Sequence, residues 1–201
     1  MCDQWSEPYS PCYRYWMPRA QTLSPTQRKS VLLAAARGVF SAHGYHRASI
    51  SQIVAAAGVA RGTFYNYFDS KRAIFQAILD ELMDAINAAV VPIDITRPIP
   101  PQVLINLENI IHICTQPEVA RILFAEAAGI DSEGDEALRV FYRQCTERIV
   151  RALNTGQDMG IVRAGNMTLT AQMLLGIVTQ PVLASASLSR RISSVLARPS
   201  A

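Results

Sequence analysis

The sequence predicts an all-α protein with a small N-terminal head of three helices and a larger C-terminal helical body. Three observations lead there. Apolar residues recur at helical spacing from Leu32 to Leu183. No alternating segment bounded by turns competes with them. Serine-led starts and glycine stops mark the helix ends where the periodicity changes. Half of the 201 residues are apolar and 17% are charged, so apolar burial can offset ordering entropy and a disordered chain is excluded.

Residues 1–23 read as an irregular arm. The first 16 hold both tryptophans, three of the seven tyrosines and two of the four cysteines, without helical period. Met17 opens more ordinary sequence and is an alternative translation start. Ser24-Pro25-Thr26-Gln27 is a capping box with proline at the first helical position, where its missing N–H costs nothing. Leu32, Ala35, Ala36, Val39 and Phe40 then form one stripe that Gly44 ends. Ser49-Ile50-Ser51-Gln52 is a second capping box, opening a short helix that Gly58 stops. After a turn of three residues, a third helix is expected over Arg61–Phe68. Asp69-Ser70 caps a long fourth helix with the stripe Phe75, Ile78, Leu79, Leu82 and Ile86.

Prolines 92, 98, 100 and 101 mark a loop or hinge. Four further helical patterns follow: Val103, Leu107, Ile110, Ile111 and Cys114; Val119, Ile122 and Leu123; Leu138, Phe141, Tyr142, Cys145 and Ile149; and Met173 to Leu183. The expected division is an arm (1–23), a head (24–86) and a body (87–201).

Several function classes drop out. No apolar run approaches a membrane span and no signal-peptide pattern opens the chain, so a cytoplasmic protein without membrane partners is expected. Cys2, Cys12, Cys114 and Cys145 form no C-x-x-C pair and read as reduced thiols. His43 and His46 have no third ligand nearby, and in Asp131–Glu136 glycine falls at the wrong position for a calcium loop, so no metal is expected. His112, Cys114, Tyr142 and Cys145 line a cavity or belong to the core. No G-x-S-x-G, P-loop or H-E-x-x-H occurs, so neither a catalytic residue nor a cofactor is expected.

Charge is more informative by position. From Met17 to Phe75, eight basic residues face one acid, Asp69: a local balance of +7 in a chain of net charge +3. A basic segment on a near-neutral chain points to a polyanion such as nucleic acid. The two short helices joined by a glycine turn lie within it, over residues 49–68, and describe a helix-turn-helix. Ile53, Val54, Val59 and Phe64 are spaced to bury, leaving Ser51, Gln52, Arg61, Thr63, Asn66 and Tyr67 for the opposite side.

The run from Ser49 to Phe68, with Ala57-Gly58-Val59, Gly62-Thr63-Phe64-Tyr65, Tyr67-Phe68 and then Ser70-Lys71, resembles the DNA-binding head of the tetracycline-repressor (TetR) family over about residues 24–86. That resemblance implies a sequence-specific transcriptional regulator, most simply a repressor. Gln52, Arg61, Gly62, Thr63, Tyr65, Asn66, Tyr67 and Lys71 occupy positions that commonly touch DNA. Asn66 and Gln52 have the chemistry to pair with adenine and Arg61 with guanine, and Lys71 to meet a phosphate. Tyr65 is open between phosphate contact and packing of helix 3 on helix 4. The implied partners are palindromic double-stranded operator DNA, a small-molecule effector in the body, and a second copy in a homodimer joined through the C-terminal helices. Pro181 departs from the family pattern by interrupting the penultimate helix and leaving only Leu188 to Leu196 for a short last one. The competing readings are a helical enzyme or small-molecule carrier with an incidental helix-turn-helix, which would need convergent acids, bases or ligands in residues 102–186, and a nonspecific DNA binder.

Overall fold

The computed structural model describes residues 24–124 and 132–177, and every regular element among them is helical. The irregular arm, Asp131, Pro181, most of the Met173–Leu183 pattern and the short last helix lie outside the described residues.

α1 (Pro25–Arg47) starts at the first capping box: the Ser24 side chain accepts from the Gln27 N–H, and Gln27 Oε1 accepts from the Ser24 N–H at 2.8 Å. It breaks at Gly44, whose φ of 76° and ψ of 161° fall where essentially only glycine goes. One further turn carries the chain to α2 (Ile50–Ala57), which is capped by Ser49 as expected and closed by left-handed Gly58. α3 (Arg61–Tyr65) is shorter than the sequence suggests. The Phe64 carbonyl accepts from the N–H groups of both Tyr67 and Phe68 at 3.0 Å, tightening the last turn, so Asn66 and Tyr67 sit in a turn and not on the helix. The Ser70 side chain caps α4 (Lys71–Ala89) by accepting from the Ala73 N–H.

The proline-rich stretch is a loop only up to Pro98. Pro100 and Pro101 belong to the first turn of α5 (Ile99–Cys114), where missing N–H groups have no helical partner to lose. α6 (Pro117–Phe124) and α7 (Ser132–Asp158) follow, then α8, described over residues 167–177. α7 closes through left-handed Gly160, and the next segment folds back so tightly that a Cβ on Gly156 would lie 2.7 Å from Val162 Cγ2.

One apolar cluster runs through head and body together. Leu32, Phe40, Ile53, Phe64, Ile74, Phe75 and Leu79 of the head join Ile122, Leu123, Leu138 and Phe141 of α6 and α7. α6 packs on α1, and α7 packs along α4. An Arg37–Glu81 ion pair at 2.6 Å ties α1 to α4, and Arg148 donates to Asn87 at 2.6 Å between α7 and α4. In α1 the buried set includes Leu33, whereas Ala35 is only half-buried.

α5 departs most from its expected pattern. Of its predicted stripe only Cys114 is buried, and Val103 is half exposed. The helix instead presents amides to the preceding loop. Asn106 exchanges two hydrogen bonds of 2.8 Å with the Val91 backbone. Gln102 does the same with Asp94 at 2.8 and 2.9 Å, and Asn109 donates to the Ala89 carbonyl at 3.0 Å. Positions 102, 106 and 109 share a helix face, so these amides satisfy the backbone of the loop lying along them. Among the described residues no helix is long and apolar enough to cross a membrane.

Candidate nucleic-acid interface

The helix-turn-helix is held from inside. Ile53 and Phe64 are fully buried, Phe68 is nearly so, and Val54 and Val59 pack half-buried against the core. Gly58, at φ 65° and ψ 31°, reverses the chain between α2 and α3 without the strain a side chain would bring. With its apolar side chains turned inward, the motif leaves Ser51, Gln52, Arg61, Gly62, Tyr65 and Asn66 exposed. Thr63 and Tyr67 are half-buried, and Tyr67 packs against the core.

The exposed set is organised around Arg61. Its guanidinium bridges the two helices, donating to Ser51 Oγ and to the Tyr65 hydroxyl at 3.5 Å each, with Cζ 6.0 Å from the Tyr65 ring centroid. Such long, exposed contacts hold a side chain loosely enough for another acceptor to capture it. Tyr65 is 44% exposed and meets Phe64 edge-on at 5.4 Å, so it stands beside Arg61 at the surface. Gly62 has no heavy atom among the described residues within 4 Å of where its Cβ would be. Nothing inside the described chain requires glycine there.

Two candidates are more constrained than the sequence suggests. Gln52 Oε1 already accepts from the Ser49 N–H at 2.8 Å and Ser49 Oγ at 3.0 Å. A bidentate pair with adenine would have to share that oxygen, whereas the amide nitrogen can donate without disturbing the cap. Lys71 folds inward: its ammonium donates to the carbonyls of Tyr45 at 2.8 Å, Ala48 at 3.1 Å and His46 at 3.4 Å. Not all the local positive charge is open either, because Arg37 is paired with Glu81. Arg47 caps the His43 carbonyl at 3.0 Å while staying exposed, and Lys29 lies 5.9 Å from the Phe68 ring centroid.

The isolated polar residues of the body do not converge on one site. Asn106 and Asn109 clasp the α4–α5 loop, His112 and Gln172 are exposed, and the Tyr142 hydroxyl donates to the Leu123 carbonyl at 3.4 Å. Cys114 and Cys145 are free thiols near Tyr142. Burial pushes the Tyr142 phenol up, with the neighbouring thiols adding to the shift. Burial likewise raises the Cys114 thiol, and it carries Cys145 up to about 11 with Cys114 reinforcing it.

Comparison with known proteins agrees with this geometry. Residues 32–78 match the family described as bacterial regulatory proteins, tetR family. The HTH-type transcriptional regulator YvdT of Bacillus subtilis is 52% identical over 52 residues, which make up 26% of this chain and 27% of that protein. The matched stretch is thus about a quarter of that curated relative. The HTH-type regulator Mb0790c of Mycobacterium bovis is 26% identical over 202 aligned residues, covering 89% of this chain and 92% of its own. Among solved structures, the transcriptional regulator FadR of Bacillus subtilis in complex with stearoyl-CoA superposes with a TM-score of 0.69 at 20% identity, covering 80% of this chain and 88% of its own. At that identity the likeness establishes the fold.

Proposed function

We propose that this chain, which belongs to the tetR family of bacterial regulatory proteins, is a transcriptional repressor that binds operator DNA through its head and releases it when the body takes up a small molecule. In this reading residues 24–86 are the DNA-binding domain, with the motif at 49–68, and residues 87–201 serve effector binding and dimerisation. The observation that carries the proposal is the polar ridge across α2 and α3, with Arg61 bridging Ser51 and Tyr65 above a fully buried Ile53 and Phe64. Arg61, Ser51, Asn66 and the Gln52 amide nitrogen are the groups proposed to reach base edges. Gly62 admits the DNA backbone, and Thr63, Tyr65 and Tyr67 flank it.

Support for a homodimer comes from α8. Met167 and Ala171 are buried on one face, while Leu169, Met173 and Ile177 recur every fourth residue on another and are more than half exposed. A helix apolar on two faces is covered on both, and a second copy supplies the second cover. Two heads about 34 Å apart then meet successive turns of a palindromic operator. An effector that binds better to a different head separation lowers operator affinity by that difference. FadR of Bacillus subtilis, solved in complex with stearoyl-CoA, supports an effector that carries a long apolar chain.

Selection of bound sequences from random duplex DNA tests the reading. The expected result is one enriched site with two inverted half-sites. Retention of all duplexes alike would overturn it in favour of a nonspecific binder.

A further inference from the structure

We infer that Lys71 is a positioning residue: its ammonium ties the two ends of the helix-turn-helix together and sets the attitude of α3, and it makes no phosphate contact. The inference rests on the reading of the head as a DNA-binding unit. The motif, residues 49–68, hangs between Ala48 and the start of α4 at Lys71. Lys71 Nζ closes that span by donating to the carbonyls of Tyr45, Ala48 and His46. An ammonium has three N–H donors, and here three acceptors meet them.

The acceptors exist because of the break at Gly44. Beyond it α1 makes one last turn before Ser49, which brings the carbonyls of Tyr45, His46 and Ala48 within reach of Lys71. A cation there is favoured by the negative end of the α1 dipole, whereas at the first residue of α4 the dipole opposes it. The ammonium therefore gains by leaning away from its own helix. It also lies 4.3 Å from the Tyr45 ring centroid, a cation–π distance. That ring is 2% exposed and packs against Phe40 at 5.7 Å and Phe75 at 4.7 Å, so the clamp stands on a rigid base. A phosphate could take Lys71 only by drawing it off three carbonyls and an aromatic face at once.

Phosphate contact and positioning differ in measurable ways. The chain has two lysines, Lys29 and Lys71, so brief acetylation read by mass spectrometry compares the exposed amine with the clamped one without DNA. Lys71 is expected to react at least about tenfold more slowly than Lys29. Equal rates overturn the clamp. Operator affinity is then measured against salt for Lys71→Met and Lys71→Arg, using the duplex from the selection experiment and a scrambled one. Positioning predicts about a tenfold loss on the operator for both variants, little change on the scrambled duplex, and an unaltered salt slope. A planar guanidinium cannot meet the same three acceptors from over the Tyr45 ring, so arginine does not rescue. A slope reduced by about one unit in Lys71→Met, with full rescue by arginine, makes Lys71 a phosphate contact and overturns the inference. Wild-type affinity in Lys71→Met overturns it as well. A wild-type chain that enriches no sequence brings down the functional reading and the positioning role with it, while the acetylation still decides whether the clamp exists.

Discussion

Head and body are both helical and share one apolar cluster, yet their polar and apolar side chains are deployed in opposite senses. In the head, apolar groups such as Ile53 and Phe64 turn inward, and the polar residues of α2 and α3 face outward. In the body, Gln102, Asn106 and Asn109 turn onto the backbone of their own loop, while Val103, Leu104 and Ile105 on α5 and Leu169, Met173 and Ile177 on α8 face outward. A polar exterior over a closed core is complete in one chain. On the body's apolar exterior, the described residues leave Leu104, Met173 and Ile177 more than half exposed. The head thus offers a polar surface and the body an apolar one, the face that the proposed second copy would cover.

The largest expected effect tests whether the head is closed. Phe64→Ala should destabilise by about 3–5 kcal/mol, because a fully buried ring is lost from a cluster that cannot collapse around the gap. Met159→Ala, at a residue 51% exposed and outside those apolar faces, should stay within about 0.5 kcal/mol. Urea midpoints of the two variants measure the contrast, and similar losses would erase it. Gly156→Ala comes next, at about 1–3 kcal/mol, since the new methyl would meet Val162 Cγ2 in the fold-back after α7. Denaturation near the wild-type midpoint would mean that Val162 swings aside without cost.

Asn106→Ala is expected to cost about 1 kcal/mol, since an exposed pair of hydrogen bonds contributes modestly. Faster hydrogen exchange at the Val91 amide would locate the loss in the clasp, and unchanged exchange there would dissociate Asn106 from the loop. Gly62→Ala reverses the sign. With space around the site and α3 as the host, alanine should stabilise the fold by about 0.5–1 kcal/mol while weakening operator binding. A variant that gains stability and keeps full affinity would show that no partner approaches the backbone at Gly62.

The same contrast decides how much could be read from sequence. Ser24, Ser49, Ser70 and Gly58 announce ends of α1, α2 and α4, and Gly44 the break in α1, because caps and positive-φ glycines are local chemistry. Ile53 and Phe64 are likewise recognisable as core from their spacing. The end of α3 was less legible, because the tightened turn at Phe64 depends on how Phe68 packs. In α5, Val103, Leu107, Ile110 and Ile111 have the period of a buried stripe, but periodicity does not say whether the cover comes from the same chain. Nor does it show that amides at 102, 106 and 109 will clasp a loop. The signal lies in their common face, directly after a proline-broken segment whose backbone has no helix or strand ladder to pair with. Lys71 is under-read for a related reason: a cation at a helix start suggests a phosphate, and the path of the chain past Gly44, which spacing does not give, brings three carbonyls to it as well.

The smallest effect in the physiological range concerns the thiols where the body meets its core. Burial, reinforced by Cys114, raises Cys145 from an ordinary 9.0 to about 11, so the folded chain holds it neutral where the unfolded chain would ionise it. The unfolded state therefore releases a proton first as pH rises. The stabilising contribution is complete below about pH 9 and is lost progressively toward pH 11. Between pH 6 and 8 replacing the thiol should leave the pH dependence of the urea midpoint unchanged, with only the small packing change of Cys145→Ala as an offset. From pH 8.5 to 10 the wild type should lose stability faster than Cys145→Ala, because the variant has no proton to release at that position. Parallel curves over that interval would show that Cys145 is as open to solvent as the apolar face of α8, and that the half-buried interior of the body behaves as surface.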